Sequence, residues 1–393
     1  MIKDYLVQLR NKLFGVNAVV DKMTEELKKL KTELKPESLA LNSQFCQEIS
    51  AVPSQDSMES LKLSSESLES LLFPKKTQED EGKLTNSQIV RNHWSEQASP
   101  EKIRQRKYVC WMNHPFIEAE YINQKISGNH NDNWLMYMVK KYALNKLELG
   151  LSLGCGCGGL ERYGIHSGIC KKFEAFDIAD GAIAIAQEQA EQDGISQKII
   201  YQVKDINSIS LDQGKYDIAF ASASVHHIKE LEYVFAQVSY ALKPSSLFIL
   251  NEFIGPAQFQ WTEQQLELMN QLLALLPEKY KLDILSPTPN TLKEKVYRPT
   301  IEFMNSFDPS EAIRSDEIIP LLSKDFHIIE KIDYGGTILH ILLQNIVGNF
   351  DAQSPEDIAI LKLLCFIEET LITHKVISSD FALIVAQKKG EKM

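Results

Sequence analysis

Three features of this chain predict an α/β fold in which a doubly wound, parallel sheet carries crossover helices on both faces. The first is the stretch Leu149-Gly150-Leu151-Ser152-Leu153-Gly154-Cys155-Gly156-Cys157-Gly158-Gly159, an apolar run that enters a cluster of glycines and leaves as a helical pattern. The second is the regular alternation of short apolar runs with helical stretches from 149 to 253. The third is a carboxylate, Asp177 and then Asp205, closing two consecutive strands on the same edge as the glycine turn.

Taken in order, the core elements are expected as follows. Strand one covers 149–154 and is followed by a helix from 158 to about 170; strand two is Phe173–Ile178, followed by an Ala-rich helix over 180–192 that stops at Gly194. Strand three is Ile199–Asp205 and strand four Tyr216–Ala221. A helix over 229–242 then ends before Pro244, and strand five is Leu247–Phe253. Two later apolar runs, Phe326–Tyr334 and Phe381–Gln387, fit a terminal pair that completes a Rossmann-like sheet, with helical stretches before them (261–276) and between them (338–372) as an inserted lid.

The first 35 residues read differently. Apolar residues fall at Leu6, Leu9, Leu13, Val16, Val20, Met23, Leu27, Leu30 and Leu34, in alternating steps of three and four. Such a narrow seam is what a helix buries against another helix, so 1–35 is expected to form a coiled coil and 2–34 a homo-oligomer contact. Pro36 ends that helix. Residues 36–85, rich in Ser, Glu, Gln and Lys, are expected to be a flexible linker. The main domain is then 86–393, with its core at 149–253 and helical insertions at 255–325 and 338–376. Aromatic residues at 94–137 sit in helices preceding the glycine turn that could cap a cleft, Trp94 foremost.

Composition narrows the partners. With 53 acidic and 42 basic residues the chain carries a formal charge of −11, which argues against a polyanion such as DNA or RNA. Six cysteines show neither zinc spacing nor the density of a disulfide scaffold. Cys155 and Cys157 serve as small side chains in the turn, so no metal site is expected. No apolar run approaches the roughly 20 residues that span a bilayer, and the N-terminus lacks a signal sequence. A cytoplasmic protein is expected.

A strand that enters a Gly-rich turn and leaves through a helix N-terminus exposes backbone N–H groups to a polar, nucleotide-like ligand. Gly154-x-Gly156-x-Gly158 suits S-adenosylmethionine (SAM), while Gly154-x-Gly156-x-x-Gly159 equally satisfies the dinucleotide fingerprint. Asp177, with Ile178, can accept from both ribose hydroxyls in either case. Asp205 with Ile206 places a second carboxylate and an apolar side chain where an adenine could be held, which favours SAM. The cofactor set is thus Gly154, Cys155, Gly156, Gly158, Asp177, Ile178, Asp205, Ile206 and Ser222.

With LSLGCGCG, FDIADGAI, VKDI and YDIAFASASVHHI in place, residues 86–390 resemble a class I SAM-dependent methyltransferase, most strongly over 149–253. The resemblance implies a seven-stranded sheet with an antiparallel last strand at 381–387. NEFIGPAQFQWT, DPSEAIRS and YGGTILHILLQNIVGNF resemble a bacterial subgroup associated with sugar and secondary-metabolite pathways, which implies methyl transfer to an oxygen or nitrogen of a small-molecule acceptor. Ser152 departs from that family, which usually has an acidic residue two positions before the first glycine.

Methyl transfer from a sulfonium is an in-line displacement, and a hydroxyl acceptor must also lose its proton. His226 and His227, just after strand four, are the expected catalytic bases. Glu252, Glu161-Arg162 and Arg314 are further candidates, each also readable as part of a structural ion pair. Two other functions fit the same features: an NAD(P)-dependent oxidoreductase, and a SAM-binding scaffold without turnover.

Overall fold

The computed structural model describes residues 85–390. The expected coiled coil and most of the expected linker lie outside them. Helix α1 (Asn86–Gln97) opens the described chain with a full capping box, in which the Thr85 hydroxyl accepts from the Gln88 N–H and the Gln88 side chain accepts from the Thr85 N–H. Helices α2 (Pro100–Val109) and α3 (Trp134–Tyr142) follow. Between them Ile117–Asn123 forms a π-helical turn.

The sheet then builds from β1 (Leu147–Leu153), β2 (Cys170–Asp177), β3 (Ile199–Val203), β4 (Tyr216–Ser222), β5 (Leu242–Phe253), β6 (Phe326–Gly335) and β7 (Phe381–Lys388). Its order is β3-β2-β1-β4-β5-β7-β6. The first five strands pair in parallel, whereas β7 runs antiparallel to both β5 and β6. The expected seven strands and the antiparallel last strand are therefore observed.

Crossover helices α4 (Gly159–His166), α5 (Asp180–Gln192) and α6 (Leu231–Ala241) cover the parallel part. Helices α7 (Glu263–Leu275), α8 (Ile301–Phe307) and α9 (Ile318–Asp325) precede β6; α10 (Leu339–Leu343) and α11 (Pro355–Thr373) lie between β6 and β7.

Because successive strand side chains point to opposite faces, β7 feeds two cores at once. Leu383 and Val385 join Phe173, Phe220 and Ile249 under the inserted helices; Ala382, Ile384 and Ala386 join Phe248, Leu250 and Phe235 under α6 and α9. The central parallel strands β1 and β4 are buried on both faces, which is why they read as near-continuous apolar runs, whereas the edge strand β3 exposes Ile200 and Val203.

Two expectations need correction. Strand five begins at Leu242 rather than 247, since Leu242 pairs with Tyr216 before the register shifts and Leu247 resumes opposite Ile218. The expected helix over 338–372 is two helices. The chain turns left-handed at Asn345 and restarts at Ser354, whose hydroxyl accepts from the Asp357 N–H, with Pro355 at the first helical position.

Candidate active site

In a doubly wound sheet, ligands sit outside the carboxyl ends of the strands where the strand order reverses, here between β1 and β4. The loops leaving those strands touch. Gly154 has φ +66°, and a Cβ there would lie 2.3 Å from the Ser224 Cβ, so only glycine lets the loops close. Ser224 Oγ donates to the Leu153 carbonyl at 2.8 Å, joining the loops further.

Two residues on, Gly156 has φ +51° and open space where a side chain would stand. Its N–H donates to Asp177 Oδ2 and the Ala179 N–H to Oδ1, both at 2.8 Å, which fixes the carboxylate at the end of β2. Burial raises the Asp177 carboxyl above its ordinary range despite these donors. Burial, followed by Glu161 and Asp177, pushes the Cys155 thiol well up, which keeps it protonated and a poor nucleophile or metal ligand. Gly158 opens α4, and its carbonyl accepts from Tyr201 at 3.2 Å.

Along the same edge, Asp205 and Ile206 are half-buried just beyond β3, and Ser222 ends β4. Asp205 Oδ1 accepts from the Asn207 backbone and side chain at 2.9 and 3.0 Å. Helix α1 lies across this edge. Its Ser87 donates to Asp205 at 3.4 Å, its Ser95 to Asp180 at 2.8 Å, and its Trp94 indole to Asp308 at 2.9 Å. These three contacts hold α1 against the strand ends, with Trp94 beside His227.

His226 and His227 occupy a turn after β4, ring centroids 4.1 Å apart. His226 Nδ1 is bonded to Glu252 near the end of β5. That carboxylate also accepts from the N–H groups of Ser224, Val225 and Phe253 at 2.9, 2.7 and 2.8 Å. Burial disfavours a charged His226, but Glu252, Glu311 and Asp308 outweigh it and raise its pKa to about 9.

His227 Nδ1 lies 3.1 Å from Ser310 Oγ, which donates to Asp308 at 2.7 Å, and Trp94 packs edge-on to the ring. Burial, with His226 and His93 nearby, holds His227 well below the usual histidine range. Glu311 faces both imidazoles, and burial lifts its carboxyl to about 7.

Other candidates separate by role. Arg314 is an ion-pair residue on the surface, bound to Glu232 and Glu317 at 2.8 Å. Arg162 holds the Cys157 carbonyl at 2.7 Å and faces Asp193. Glu161 is instead fully buried beside Ser152, and neither of its carboxyl oxygens completes a hydrogen bond. Burial raises it to about 7.

Next to His226, Phe253 begins an aromatic wall of Phe259, Trp261 and Phe381 around His340, whose Nδ1 is buried without a partner. Asp308, Ser310 and Glu311 were not among the residues expected from sequence. The stretch DPSEAIRS offered Arg314 as its obvious cation, and only the fold brings its acidic end to the histidines.

Residues 151–245 match the family model described as a methyltransferase domain. A ribosomal protein methyltransferase of Ruminiclostridium cellulolyticum is 31% identical over 33% of this chain and 39% of its own length. A mitochondrial arginine hydroxylase of Homo sapiens is 30% identical over 40% and 42%. A malonyl-[acyl-carrier protein] O-methyltransferase of Ilyobacter polytropus is 22% identical over 54% and 69%. The chain spans about two fifths of the length of the first curated relatives it matches.

Proposed function

We propose that this protein binds SAM at the β1–β4 edge and transfers its methyl group to an oxygen or nitrogen of a small-molecule acceptor. The observation that carries the reading is the row of groups along consecutive strand ends: the glycine loop, Asp177 and Asp205. These suit a methionine tail, a ribose diol and an adenine in turn. The strand order supports SAM over a nicotinamide. Dinucleotide enzymes continue with parallel strands after β5, whereas here the antiparallel β7 follows.

Glu161 supports the same reading through the departure at Ser152. A fully buried carboxylate whose oxygens complete no hydrogen bond is costly unless it is neutral or meets a cation. The methionine ammonium of SAM is such a cation, so Glu161 takes over from α4 the anchoring that the family usually gives to the position of Ser152. When bound, SAM supplies an activated methyl group; the chain orients it and prepares the acceptor through the His226–His227 pair. The aromatic wall of Phe253, Phe259 and Trp261 beside His226 supports a ring-bearing acceptor, in keeping with a sugar or secondary metabolite.

Calorimetric titration with S-adenosylhomocysteine, which keeps the ammonium, tests this site. Burial raises the Glu161 pKa and Asp177 adds to it, while Ser152 and then Arg162 lower it; Cys155 and Tyr201 also face it. The folded carboxyl titrates near 7 against an ordinary 4.5, so the ligand-free fold loses stability as pH rises between those values. The ammonium pairs with the ionised form, so affinity is expected to rise severalfold from about pH 6 to about pH 8. Glu161→Gln is expected to weaken binding about tenfold, for loss of a charge-assisted bond, and to flatten that rise. Unchanged affinity and an unchanged pH slope in the variant would remove Glu161 from the site.

A further inference from the structure

We propose that His226, His227 and Glu311 form a binding site for one divalent transition-metal ion. The inference deepens the reading above by stating how the histidine pair prepares the acceptor, but the existence of the site does not depend on methyl transfer.

The geometry points to it through both nitrogens of each ring. The Nδ1 atoms are committed, His226 to Glu252 and His227 to the Ser310–Asp308 pair. Both Nε2 atoms are thereby turned to one carboxylate, Glu311, at 3.5 Å from Oε1 and 4.0 Å from Oε2. A metal-bound histidine characteristically holds its second nitrogen on a carboxylate or similar acceptor, which sets the tautomer and the ring plane. Here both rings have that support.

The separations carry further information. Metal–nitrogen and metal–oxygen bonds of about 2.0–2.2 Å in tetrahedral geometry place neighbouring donor atoms about 3.3–3.6 Å apart. The 3.5 Å His226 Nε2–Glu311 distance matches such an edge, and the 4.0 Å His227 Nε2–Glu311 distance would close by about 0.4 Å on binding an ion. One donor atom from each of the three residues falls within a 4.8 Å cluster.

Charge argues in the same direction. Glu252, Asp308 and Glu311 surround two imidazoles in a site where Glu252 and Asp308 are completely buried, and three carboxylates there leave negative charge that a dication compensates. Glu311 and His227 keep 18% and 16% of their side-chain surface exposed, so an ion can enter from solvent. Two imidazoles with one carboxylate suit zinc, iron(II), cobalt or nickel rather than calcium or magnesium.

In this role the ion takes the acceptor's hydroxyl oxygen as a further ligand, and the hydroxyl proton leaves to solvent because its pKa falls. The oxygen–methyl bond then forms as the sulfonium–methyl bond breaks, and sulfur leaves as the neutral thioether.

The test uses the full chain, stripped with a chelator and titrated with Co²⁺, followed by its visible ligand-field absorption and by equilibrium dialysis. The expected result is one cobalt per chain, displaced by Zn²⁺, with affinity falling about 100-fold in Glu311→Gln and His227→Ala. Glu252→Gln, which removes the charged support of His226 and puts an amide where the Ser224, Val225 and Phe253 N–H groups donate, is expected to cost about 10- to 100-fold. S-adenosylhomocysteine binding by the same variants reports their folding and is expected to persist. Absence of the band in the wild-type chain overturns the proposal, as does cobalt binding that Glu311→Gln leaves unchanged. Loss of S-adenosylhomocysteine binding in the wild-type chain while cobalt still binds would instead overturn the methyltransferase reading.

Discussion

Replacing His226 or His227 with alanine is expected to lower acceptor-dependent formation of S-adenosylhomocysteine by roughly 100-fold or more, while affinity for SAM stays within a few-fold. Both rings lie in the turn past the end of β4. They sit after β4 between Glu252, Ser310 and Glu311, so the loss should fall on turnover rather than on cofactor binding. His227→Ala is the cleaner variant, because His226→Ala leaves Glu252 buried with one accepting oxygen relieved of its imidazole. An interaction that acts only in the transition state lowers kcat and kcat/KM together. Unaltered turnover in both variants would show that the acceptor is prepared elsewhere.

Asp177→Ala is expected to weaken SAM binding by about 100-fold, the loss of roughly 3 kcal/mol if two charge-assisted bonds to the ribose hydroxyls disappear. The same carboxylate receives the N–H groups of Gly156 and Ala179, so the variant also leaves two donors short of an acceptor and loosens the glycine turn. Asp177→Asn separates the effects poorly by design. Both carboxylate oxygens already accept from backbone N–H groups, and an amide would point its NH₂ at one of them. Its affinity is therefore expected to fall nearly as far as that of alanine. Calorimetry with S-adenosylhomocysteine measures both, and an affinity equal to wild type in either variant would contradict the assignment.

What was legible in the sequence was whatever depends on local pattern. Central parallel strands buried on both faces leave apolar runs, and a tight strand-to-helix turn leaves a cluster of glycines; both can be read without coordinates, whereas the closure of Gly154 on Ser224 cannot. The acids that end successive units, Asp177 and Asp205, could be placed on one edge by counting elements.

The break between α10 and α11 carried its own signal in Ser354-Pro355-Glu356-Asp357, an N-cap, a proline and an acidic first turn, but the apolar runs on either side masked it. Nothing local could have joined Glu311 to the histidines. That contact spans more than 80 positions and depends on the loop after α8 folding back over the end of β4, where the Ile313 N–H donates to the His226 carbonyl at 3.1 Å. Glu161 was visible as a candidate, yet that its carboxyl is buried and completes no hydrogen bond is a matter of the fold, and the neighbouring Arg162 suggested a formed ion pair.

The central claim, that the β1–β4 edge is a SAM site, is tested most directly by titrating the full chain in a calorimeter with S-adenosylhomocysteine and, separately, with NADH. A SAM site predicts saturable heat with S-adenosylhomocysteine that Asp177→Ala weakens by about 100-fold, and none with NADH. Selective binding of NADH, lost in the same variant, would contradict the account and make the glycine turn a dinucleotide cradle.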